Sequence, residues 1–305
     1  MERYLSFAAW CRETYGRRLY RTALDANMTC PNRDGKIGTR GCIFCAGGSG
    51  DFAVKYDGEP MKREDMIFNH QNASEGDYIA YFQAYTNTYA PVERLRKLFT
   101  AALEDPLFAG ISIATRPDCV DEEVLCLLKE LKQNYPKKMF MVELGLQSVH
   151  ESSAKWMRRG YPLAVFDECV RGLHEAGIDV IVHVIIGIPD ETTEMILETI
   201  HHLNECHIQG VKLQLLHYLK GTDLGDLYEK NPDQFHVLSL EEYADIIALC
   251  IAHLNPDIVI HRLSGDGNGE YLLAPLWSKD KRRVLNTISR QLKVKNITQG
   301  CLLKP

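Results

Sequence analysis

The sequence of 305 residues lacks several features that would fix its class at once. It contains no run of the roughly 20 apolar residues that a membrane-spanning helix requires, and it has no internal repeat or low-complexity tract. Its start, MERYLSFAAWCRETYGRR, carries acidic residues and no apolar stretch before a small-residue cleavage site, so no secretory leader is expected. We therefore expect a cytoplasmic protein that makes no contact with a membrane.

Positive charge is also scarce on average, because the formal net charge is −6. The distribution along the chain is uneven, however. Residues 1–63 carry 11 Lys and Arg against 7 Asp and Glu, residues 64–278 carry 16 against 33, and residues 279–305 carry 8 against 1. The basic stretch at residues 279–283 is by default a solvated helix face. Because both ends are basic although the middle is acidic, the sequence remains compatible with a phosphate-rich partner.

Apolar strands alternate with amphipathic helical segments along most of the chain. Strand-like runs cover residues 19–26, 78–85, 110–115, 140–146, 179–188 and 210–219. Helical segments cover residues 91–104, 121–134, 162–176 and 192–205, with a short one after Thr222. Strands that are apolar almost throughout require a parallel sheet covered by helices. Six successive βα units predict an α/β fold, namely a partial (β/α)6 TIM-like barrel.

A C-terminal α/β extension is predicted beyond this barrel. It comprises an amphipathic helix at residues 240–254, a strand at residues 258–263 and a basic final helix at residues 279–292. We therefore divide the chain into a core barrel of residues 1–225 and an extension of residues 226–305.

The stretch from residue 30 to residue 52 holds three cysteines in a loop that is too rich in Gly, Pro and Asn to be a helix or a strand. These are Cys30, Cys42 and Cys45. Three thiols on one flexible loop can converge on a metal centre. The loop follows the first predicted strand, at the end of a βα barrel where active sites lie. The other seven cysteines stand singly, and most are interpreted as small buried hydrophobes.

The Cys-x2-Cys pair by itself is compatible with zinc, a redox dithiol or an iron–sulfur cluster. A redox dithiol is disfavoured because the pair follows a Gly-rich loop and does not open a helix beside a thioredoxin-like strand. Zinc would need a fourth ligand, for which His70 is the nearest candidate. Three cysteines without a fourth fit a cluster with one open iron. Three reduced structural thiols are the remaining alternative.

Further motifs follow the loop at or near the ends of later predicted strands. Together with the loop they read CIFCAGGSGDF at residues 42–52, ISIATRPD at 111–118, ELGLQSV at 143–149, RRGY at 158–161 and HVIIGIP at 183–189. In this order the motifs resemble the radical S-adenosylmethionine (SAM) superfamily. The sequence is most similar to the branch that includes the Elongator catalytic subunit and bacterial proteins of the YhcC/YtqA type. The resemblance covers residues from about 19 to 225.

The resemblance implies that Cys30, Cys42 and Cys45 bind three irons of one [4Fe-4S] cluster of the radical SAM type. The amino and carboxylate groups of S-adenosyl-L-methionine would then chelate the fourth iron. Reduction of such a cluster cleaves the sulfonium bond and gives a 5′-deoxyadenosyl radical, while the protein orients the reactants and excludes water.

The resemblance also implies cofactor-binding positions. They are Phe44, Tyr85, Thr86, Asn87, Gln147, Arg159, His183 and Gly187. Phe44 matches a position that contacts adenine, and Gln147 and Arg159 match positions that hold the ribose and the methionine carboxylate. His183 and Gly187 would line the same cofactor. Read without the family, Gln147 could end a strand, Arg159 could be a solvated helix end, and His183 could be a core histidine.

The sequence departs from the family pattern at three points. Eleven residues separate Cys30 from Cys42, where the family at large has three. The second strand ends in residues 85–88 (YTNT) instead of the Gly-Gly pair that meets the methionine amino group. Ala114 stands where relatives often have a ribose-binding Glu. The contacts expected of residues 85–87 therefore rest on their position after the second strand and not on a matching motif.

The branch modifies wobble uridine in transfer RNA, and two basic ends fit a substrate held by its phosphates while one base enters the barrel. Only residues 226–305 follow the matched region, so an acetyltransferase domain is not expected. The resemblance instead implies remodelling of the uridine C5 side chain, from carboxymethylaminomethyl to aminomethyl. Expected partners are tRNA and an electron donor such as flavodoxin or ferredoxin. A radical SAM enzyme for a small metabolite and a non-catalytic zinc or RNA-binding protein are the alternatives.

Overall fold

Parallel strands and the helices that cover them account for most of the chain in the computed structural model, which describes residues 2–47, 53–65, 73–265 and 269–303. The strands are β1 (Tyr20–Asp25), β2 (Val54–Lys55), β3 (Tyr78–Phe82), β4 (Phe108–Thr115), β5 (Met139–Gln147), β6 (Asp179–Ile186), β7 (Gly210–Leu215), β8 (Tyr218–Leu219), β9 (Val259–Arg262) and β10 (Leu272–Ala274). The α-helices are α1 (Phe7–Tyr15), α2 (Val92–Glu104), α3 (Glu122–Asn134), α4 (Glu151–Trp156), α5 (Leu163–Glu175), α6 (Thr193–Glu205), α7 (Asp223–Lys230), α8 (Leu240–His253) and α9 (Lys281–Val294).

Eight of these strands form one parallel sheet, in the order β2-β1-β3-β4-β5-β6-β7-β9. Strands β8 and β10 form a separate antiparallel pair. The predicted α/β fold with a partial barrel is confirmed, and the sheet is wider than the six predicted units because β2 and β9 extend its edges. Strand β9 belongs to the predicted extension, so that region contributes to the same sheet as the barrel. The boundary at residue 225 stays a prediction.

The outer face of the sheet is apolar and packs against the helices. Alternate residues such as Val180, Val182 and Val184 on β6 belong to the main core together with α2, α3, α5, α6 and α8. The helix starts have local chemical causes: the Asp121 side chain accepts a hydrogen bond from the Val124 N–H, and Ser239 forms a capping box at α8. Such caps satisfy N–H groups that a helix cannot pair internally.

The inner face of the sheet encloses a lumen that α1 closes at the amino ends of the strands. Phe7 and Cys11 of α1 pack against an apolar set from the strands, which comprises Leu19, Ile79, Met139, Met141, Ile181 and Val259. Helix α1 was not predicted, because its three aromatic residues and its charges give no clear periodicity. Its placement means that the lumen has an apolar floor.

Two cysteine assignments need correction. Cys11, Cys169 and Cys250 are buried as predicted, but Cys126 and Cys301 are exposed. Both exposed residues lie where a helix or a turn faces solvent, and spacing alone did not reveal that orientation. Within the described ranges, no helix is long and apolar enough to cross a membrane.

Candidate active site at the carboxyl ends of the strands

The cysteine loop leaves β1 at the carboxyl end of the sheet and is fixed there by backbone hydrogen bonds. Ile43 N–H donates to Met157 O over 3.1 Å, and Leu224 N–H donates to Ile43 O over 2.9 Å. These bonds join the loop to the end of α4 and to the start of α7. The side chain of Ile43 is buried with Met157 and Leu224 in a second apolar cluster. The loop is thereby held across the mouth of the lumen.

The three predicted thiols lie together on this loop without crowding one another. Burial raises the pKa of the Cys42 thiol to about 11, and the nearby Cys45 and Cys30 add to the increase. Asn32 Nδ2 lies 3.6 Å from the Cys42 Sγ. Among the described residues, the group whose ligand atoms all converge within 4.8 Å is Asp167, His202 and Cys206, and the loop thiols do not form such a group. The spread of the three thiols suits a multi-iron cluster better than one small ion, since each corner of a cluster binds one cysteine.

Two guanidinium groups face the thiols. Arg33 interacts with Cys45 and Cys30, and Arg33 Nη2 donates to Cys45 O. Arg116 is buried, pairs with Asp118 at 2.7 Å, and lowers the pKa of Cys42 against the effect of burial. Positive charge beside thiols favours the thiolate form that binds metal. The donor set of three thiols with two cations therefore fits a thiolate-ligated iron–sulfur cluster.

Phe44 and Gly187 lie close to the same mouth. Phe44 packs against the second apolar cluster, which includes Ile185 and Ile188 at the end of β6. Gly187 has a φ of +91°, and an added Cβ would lie 3.2 Å from Leu238. A residue with a side chain would be strained at this φ. There is therefore little space for a side chain at Gly187, at the end of β6. The cofactor contacts predicted for Phe44 and Gly187 stay predictions.

The segment after β3 turns sharply. Tyr85 has a φ of +63°, and its hydroxyl lies 3.5 Å from the position that a Cβ on Gly47 would take. Thr86 and Asn87 are buried, and Asn87 Nδ2 donates to Phe82 O at 3.0 Å and to Ala114 O at 2.9 Å. The other amide atom, Asn87 Oδ1, is buried and has no hydrogen-bond donor among the described residues. An unsatisfied buried acceptor at a strand end is costly unless a ligand supplies a donor.

Gln147 ends β5 with a φ of +65°, which is rare for a residue with a side chain. With its amide in the orientation that satisfies its neighbours, its nitrogen donates to Gly145 O at 3.0 Å and to Leu146 O at 2.9 Å. The side chain thus folds back on its own strand. Strained backbone of this kind is concentrated at ligand sites, and the ribose contact predicted for Gln147 stays a prediction.

Arg159 is almost completely buried, with 1% of its surface exposed. Its guanidinium donates to Leu146 O, Ser148 O and Tyr161 O over 3.1, 2.7 and 3.1 Å. It also lies 4.8 Å from the centre of the Tyr161 ring. Arg159 therefore joins the end of β5 to the loop after α4, and binding a methionine carboxylate would require it to release some of these acceptors.

His183 lies inside the lumen, in a layer of polar side chains that point inward from successive strands. We call this layer the charged layer, and define it as Arg21, Tyr81, Ser112, Glu143, His183 and Lys212. Glu143 is its centre: His183 Nε2 donates to Glu143 Oε2 at 2.7 Å, Ser112 Oγ donates to Glu143 Oε1 at 2.8 Å, and Lys212 also donates to this carboxylate. Lys212 Nζ lies 3.0 Å from the Tyr81 hydroxyl.

The electrostatics of the charged layer follow from one carboxylate shared among several basic groups. Burial alone would raise the pKa of Glu143, but Lys212, His183 and Arg21 hold it well below its usual range. Burial lowers the pKa of Lys212 to about 7 even though Glu143 acts in the opposite direction, and Arg21 and Arg262 add to the decrease. Burial and Lys212 also lower the pKa of His183. His183 is therefore neutral at neutral pH.

Most members of this layer were not predicted from the sequence. Each strand contributes one side chain, so the layer leaves no local motif. One signal was available: Glu143 and Lys212 interrupt otherwise apolar strands, and charges in such strands are rarely buried unless they are paired. His70, the predicted fourth zinc ligand, lies outside the described residues, as do residues 48–52 of the first motif.

Comparisons with known proteins agree with this geometry. The family model of the radical SAM superfamily matches residues 34–203, and the model of the radical SAM C-terminal domain matches residues 208–294. YtqA of Bacillus subtilis (strain 168) is 40% identical over 302 residues, which cover 98% of this chain and 92% of YtqA. YhcC of Escherichia coli (strain K12) is 32% identical over 295 residues, which cover 95% of this chain and 93% of YhcC.

Among solved structures, the archaeal Elp3 of Methanocaldococcus infernus, without its residues 1–46, has a similar fold. The TM-score is 0.60 at 16% sequence identity, and the match covers 73% of this chain and 55% of the Elp3 chain. At 16% sequence identity, this comparison shows a similar fold only.

Proposed function

The chain belongs to the radical SAM superfamily, and from this premise we propose that it is an enzyme that modifies the C5 side chain of wobble uridine in tRNA. The family uses a [4Fe-4S] cluster and S-adenosyl-L-methionine. When bound, these cofactors supply a 5′-deoxyadenosyl radical that abstracts a hydrogen atom from the substrate. The protein's own residues then have three tasks: to hold the cofactors, to exclude water and to place the substrate.

The thiol loop carries the proposal for the cluster. Cys30, Cys42 and Cys45 would be its ligands, and Arg33 and Arg116 would balance the negative charge of the thiolates. The spread of the thiols and the absence of a fourth cysteine from the loop support one open iron.

Asn87 offers the clearest contact for S-adenosyl-L-methionine. Its Oδ1 is a buried acceptor without a donor among the described residues. An ammonium group donates hydrogen bonds and accepts none, so it would complement this oxygen. The residue lies in the segment after β3, where the resemblance implies a contact with the methionine amino group. We therefore assign Asn87 to that ammonium, and we keep Phe44, Tyr85, Thr86, Gln147, Arg159, His183 and Gly187 as further proposed contacts.

A basic surface near the mouth supports a tRNA substrate. Trp277 Nε1 donates to Leu238 O at 2.9 Å, and Leu238 packs against Gly187 at the end of β6. The chain then enters α9, so the start of this helix lies on the same side as the mouth. Arg282 and Arg290 of α9 line a surface hollow of about 350 Å³. A phosphate backbone held there would place a neighbouring base at the barrel.

The chemical conversion that we propose is carboxymethylaminomethyluridine to aminomethyluridine, in which the carboxymethyl group would be oxidised by two electrons and released by water as glyoxylate. The two electrons would be balanced by the cleavage of one S-adenosyl-L-methionine to methionine and 5′-deoxyadenosine. This conversion rests on the branch of the family that the motifs resemble and on the basic surface beside the mouth. In tRNA from a strain that lacks the gene, anaerobically reconstituted protein with S-adenosyl-L-methionine and a reductant should convert the first nucleoside to the second, as read by mass spectrometry. The same reaction should release 5′-deoxyadenosine.

The outcomes separate the alternatives. A brown protein that forms 5′-deoxyadenosine but leaves the tRNA nucleosides unchanged would contradict the tRNA substrate and favour a small metabolite. Colourless protein that binds zinc and forms no 5′-deoxyadenosine would contradict radical chemistry altogether.

A further inference from the structure

The charged layer contains more positive than negative charge. Arg21 and Lys212 both face Glu143, with Arg21 Nε at 3.8 Å from its Oε1. Among the described residues, Glu143 is the carboxylate of this layer. Uncompensated cations inside a protein are costly, so their retention calls for a partner or a function. The layer is thus suited to receive one further negative charge.

Two side chains of the layer are partly accessible, whereas Lys212 and Glu143 are buried. His183 and Arg21 keep 19% and 20% of their side-chain surface exposed although both lie inside the lumen. Two residues farther along β1, β4 and β5, on the same face of each strand, stand Ala23, Ala114 and Gly145. These small residues are only partly buried. Their small side chains take up little space on the side of the charged layer that faces the mouth, while α1 packs against the strands at the opposite end.

Arg21 has the hydrogen-bonding capacity to bind an anion. Its Nη2 donates to His261 Nδ1, but its Nε is buried and has no hydrogen-bond acceptor among the described residues. Its guanidinium carbon lies 4.1 Å from the centre of the Phe7 ring, so the fork is held in place by the floor of the lumen. A planar fork of this kind matches the two oxygens of a carboxylate.

We propose that the charged layer is the anion subsite of the active-site cavity, where Arg21 and Lys212 bind a carboxylate group of the substrate. In identifying that group as the end of a uridine C5 side chain, the proposal rests on the proposed function. The subsite itself does not depend on it. The carboxymethylaminomethyl group ends in a carboxylate and the aminomethyl product does not, so the subsite would distinguish substrate from product.

The subsite predicts that anion binding is linked to a proton. Because the pKa of Lys212 is lowered to about 7, the lysine is only partly charged at neutral pH. A bound carboxylate favours the ammonium form and should raise this pKa. Anion affinity should therefore be highest below pH 7 and decrease as the pH rises above it.

The test uses acetate as the probe, because it presents the carboxylate alone. Binding of acetate to the reconstituted holoenzyme is measured by saturation-transfer NMR between pH 6 and 9. The methylammonium cation, which an anion subsite should not bind, serves as the control. We expect Arg21→Gln to weaken acetate binding about tenfold, the effect of losing one charge-assisted hydrogen bond. Arg21→Lys should restore part of the affinity. Arg18→Gln changes the net charge equally just before β1 and should have no effect.

Lys212 needs a second variant, because Lys212→Gln alone leaves Glu143 buried without its main cation. The double variant Glu143→Gln/Lys212→Gln removes both charges and should bind acetate more weakly while losing the pH dependence. Unchanged acetate binding in Arg21→Gln and in the double variant would overturn the subsite. Displacement of acetate by saturating S-adenosyl-L-methionine would also overturn it, since the layer would then hold the methionine carboxylate.

The two proposals fail separately. Acetate binding that depends on Arg21, combined with unchanged tRNA nucleosides, would leave the subsite intact and contradict the uridine substrate. Conversion of the tRNA with full activity in Arg21→Gln would support the proposed function and contradict the subsite.

Discussion

The two ends of the barrel differ in the side chains that close them. At the amino ends of the strands, α1 covers the lumen with Phe7 and Cys11 on an apolar floor. At the carboxyl ends, the loop presents Cys42 among cations and polar groups, and the lumen below it is charged. The first end buries apolar surface and stabilises the fold. The second retains buried polar groups without a hydrogen-bond partner among the described residues, so changes at the two ends should separate stability from cofactor chemistry.

The largest effect is expected at the open end. Cys45→Ser should yield protein that reconstitutes without a site-open [4Fe-4S] cluster, because a hydroxyl replaces one of three thiolate ligands. Formation of 5′-deoxyadenosine should fall to the background of the assay, with the thermal unfolding midpoint of the metal-free protein nearly unchanged. Iron content and visible absorbance measure the cluster directly.

The control for this change is Cys126→Ser, since Cys126 is an exposed cysteine on α3. It should retain full iron content and activity. Equal loss of the cluster in both variants, or normal activity in Cys45→Ser, would contradict the assignment of the loop thiols as ligands.

The next effect is expected at the closed end. Phe7→Ala removes a buried ring from the apolar floor and should lower the free energy of unfolding by about 3 kcal/mol, as for other buried aromatic residues. Urea denaturation of the metal-free protein measures this change. Thr14→Ala, at an exposed position of the same helix, should change it by less than about 0.5 kcal/mol.

Cofactor chemistry in the same Phe7→Ala variant tests whether the two ends of the barrel are independent. Well below its unfolding temperature, Phe7→Ala should still reconstitute the cluster and form 5′-deoxyadenosine in the absence of substrate, because α1 lies at the end of the lumen opposite the thiols. Loss of the cluster in a variant that remains folded would show that the two ends are not independent.

These two regions also differed in how far the sequence revealed them. The thiol loop could be recognised because its three cysteines are close in sequence and its flanking motifs follow a family pattern. The β/α alternation likewise gave most strand and helix positions to within a few residues, since apolar periodicity is a local property. Strand 78–85 was predicted too long, because Asn87 and its neighbours form a turn that is held by hydrogen bonds to Phe82 and Ala114.

The charged layer and the floor could not be predicted in the same way. Arg21, Glu143 and Lys212 meet only because the curved sheet directs side chains from distant positions in the sequence into one lumen. Arg159 was expected to be a cofactor contact from its motif, yet its guanidinium donates to three backbone carbonyls. A motif identifies a residue type at a position, whereas the partners of a buried side chain depend on the tertiary structure.

A smaller effect is expected at the edge of the mouth, where Gly187 and Gly177 provide a matched pair. Both have positive φ, +91° and +69°, but an added Cβ meets Leu238 at Gly187 and nothing within 4 Å at Gly177. Each change to Ala should lower the free energy of unfolding by about 1 kcal/mol through backbone strain. Only Gly187→Ala should also weaken S-adenosyl-L-methionine binding, measured by equilibrium dialysis. Equal affinities in the two variants would remove Gly187 from the cofactor site.

The smallest effect is expected outside the barrel, on α9. The double variant Arg282→Gln/Arg290→Gln removes two exposed charges, and each lost phosphate contact should reduce the slope of log affinity for tRNA against log salt by about 0.7 to 0.9. The control is Lys129→Gln/Arg171→Gln, which removes the same charge from exposed positions on α3 and α5. If both variants reduce the slope equally, the effect is one of net charge, and the basic hollow on α9 is not the tRNA contact. If only the α9 variant reduces the slope, and 5′-deoxyadenosine formation in the absence of tRNA is unchanged, the basic hollow on α9 binds tRNA without taking part in the radical chemistry. Substrate binding on the surface and radical chemistry in the lumen would then belong to different parts of the molecule.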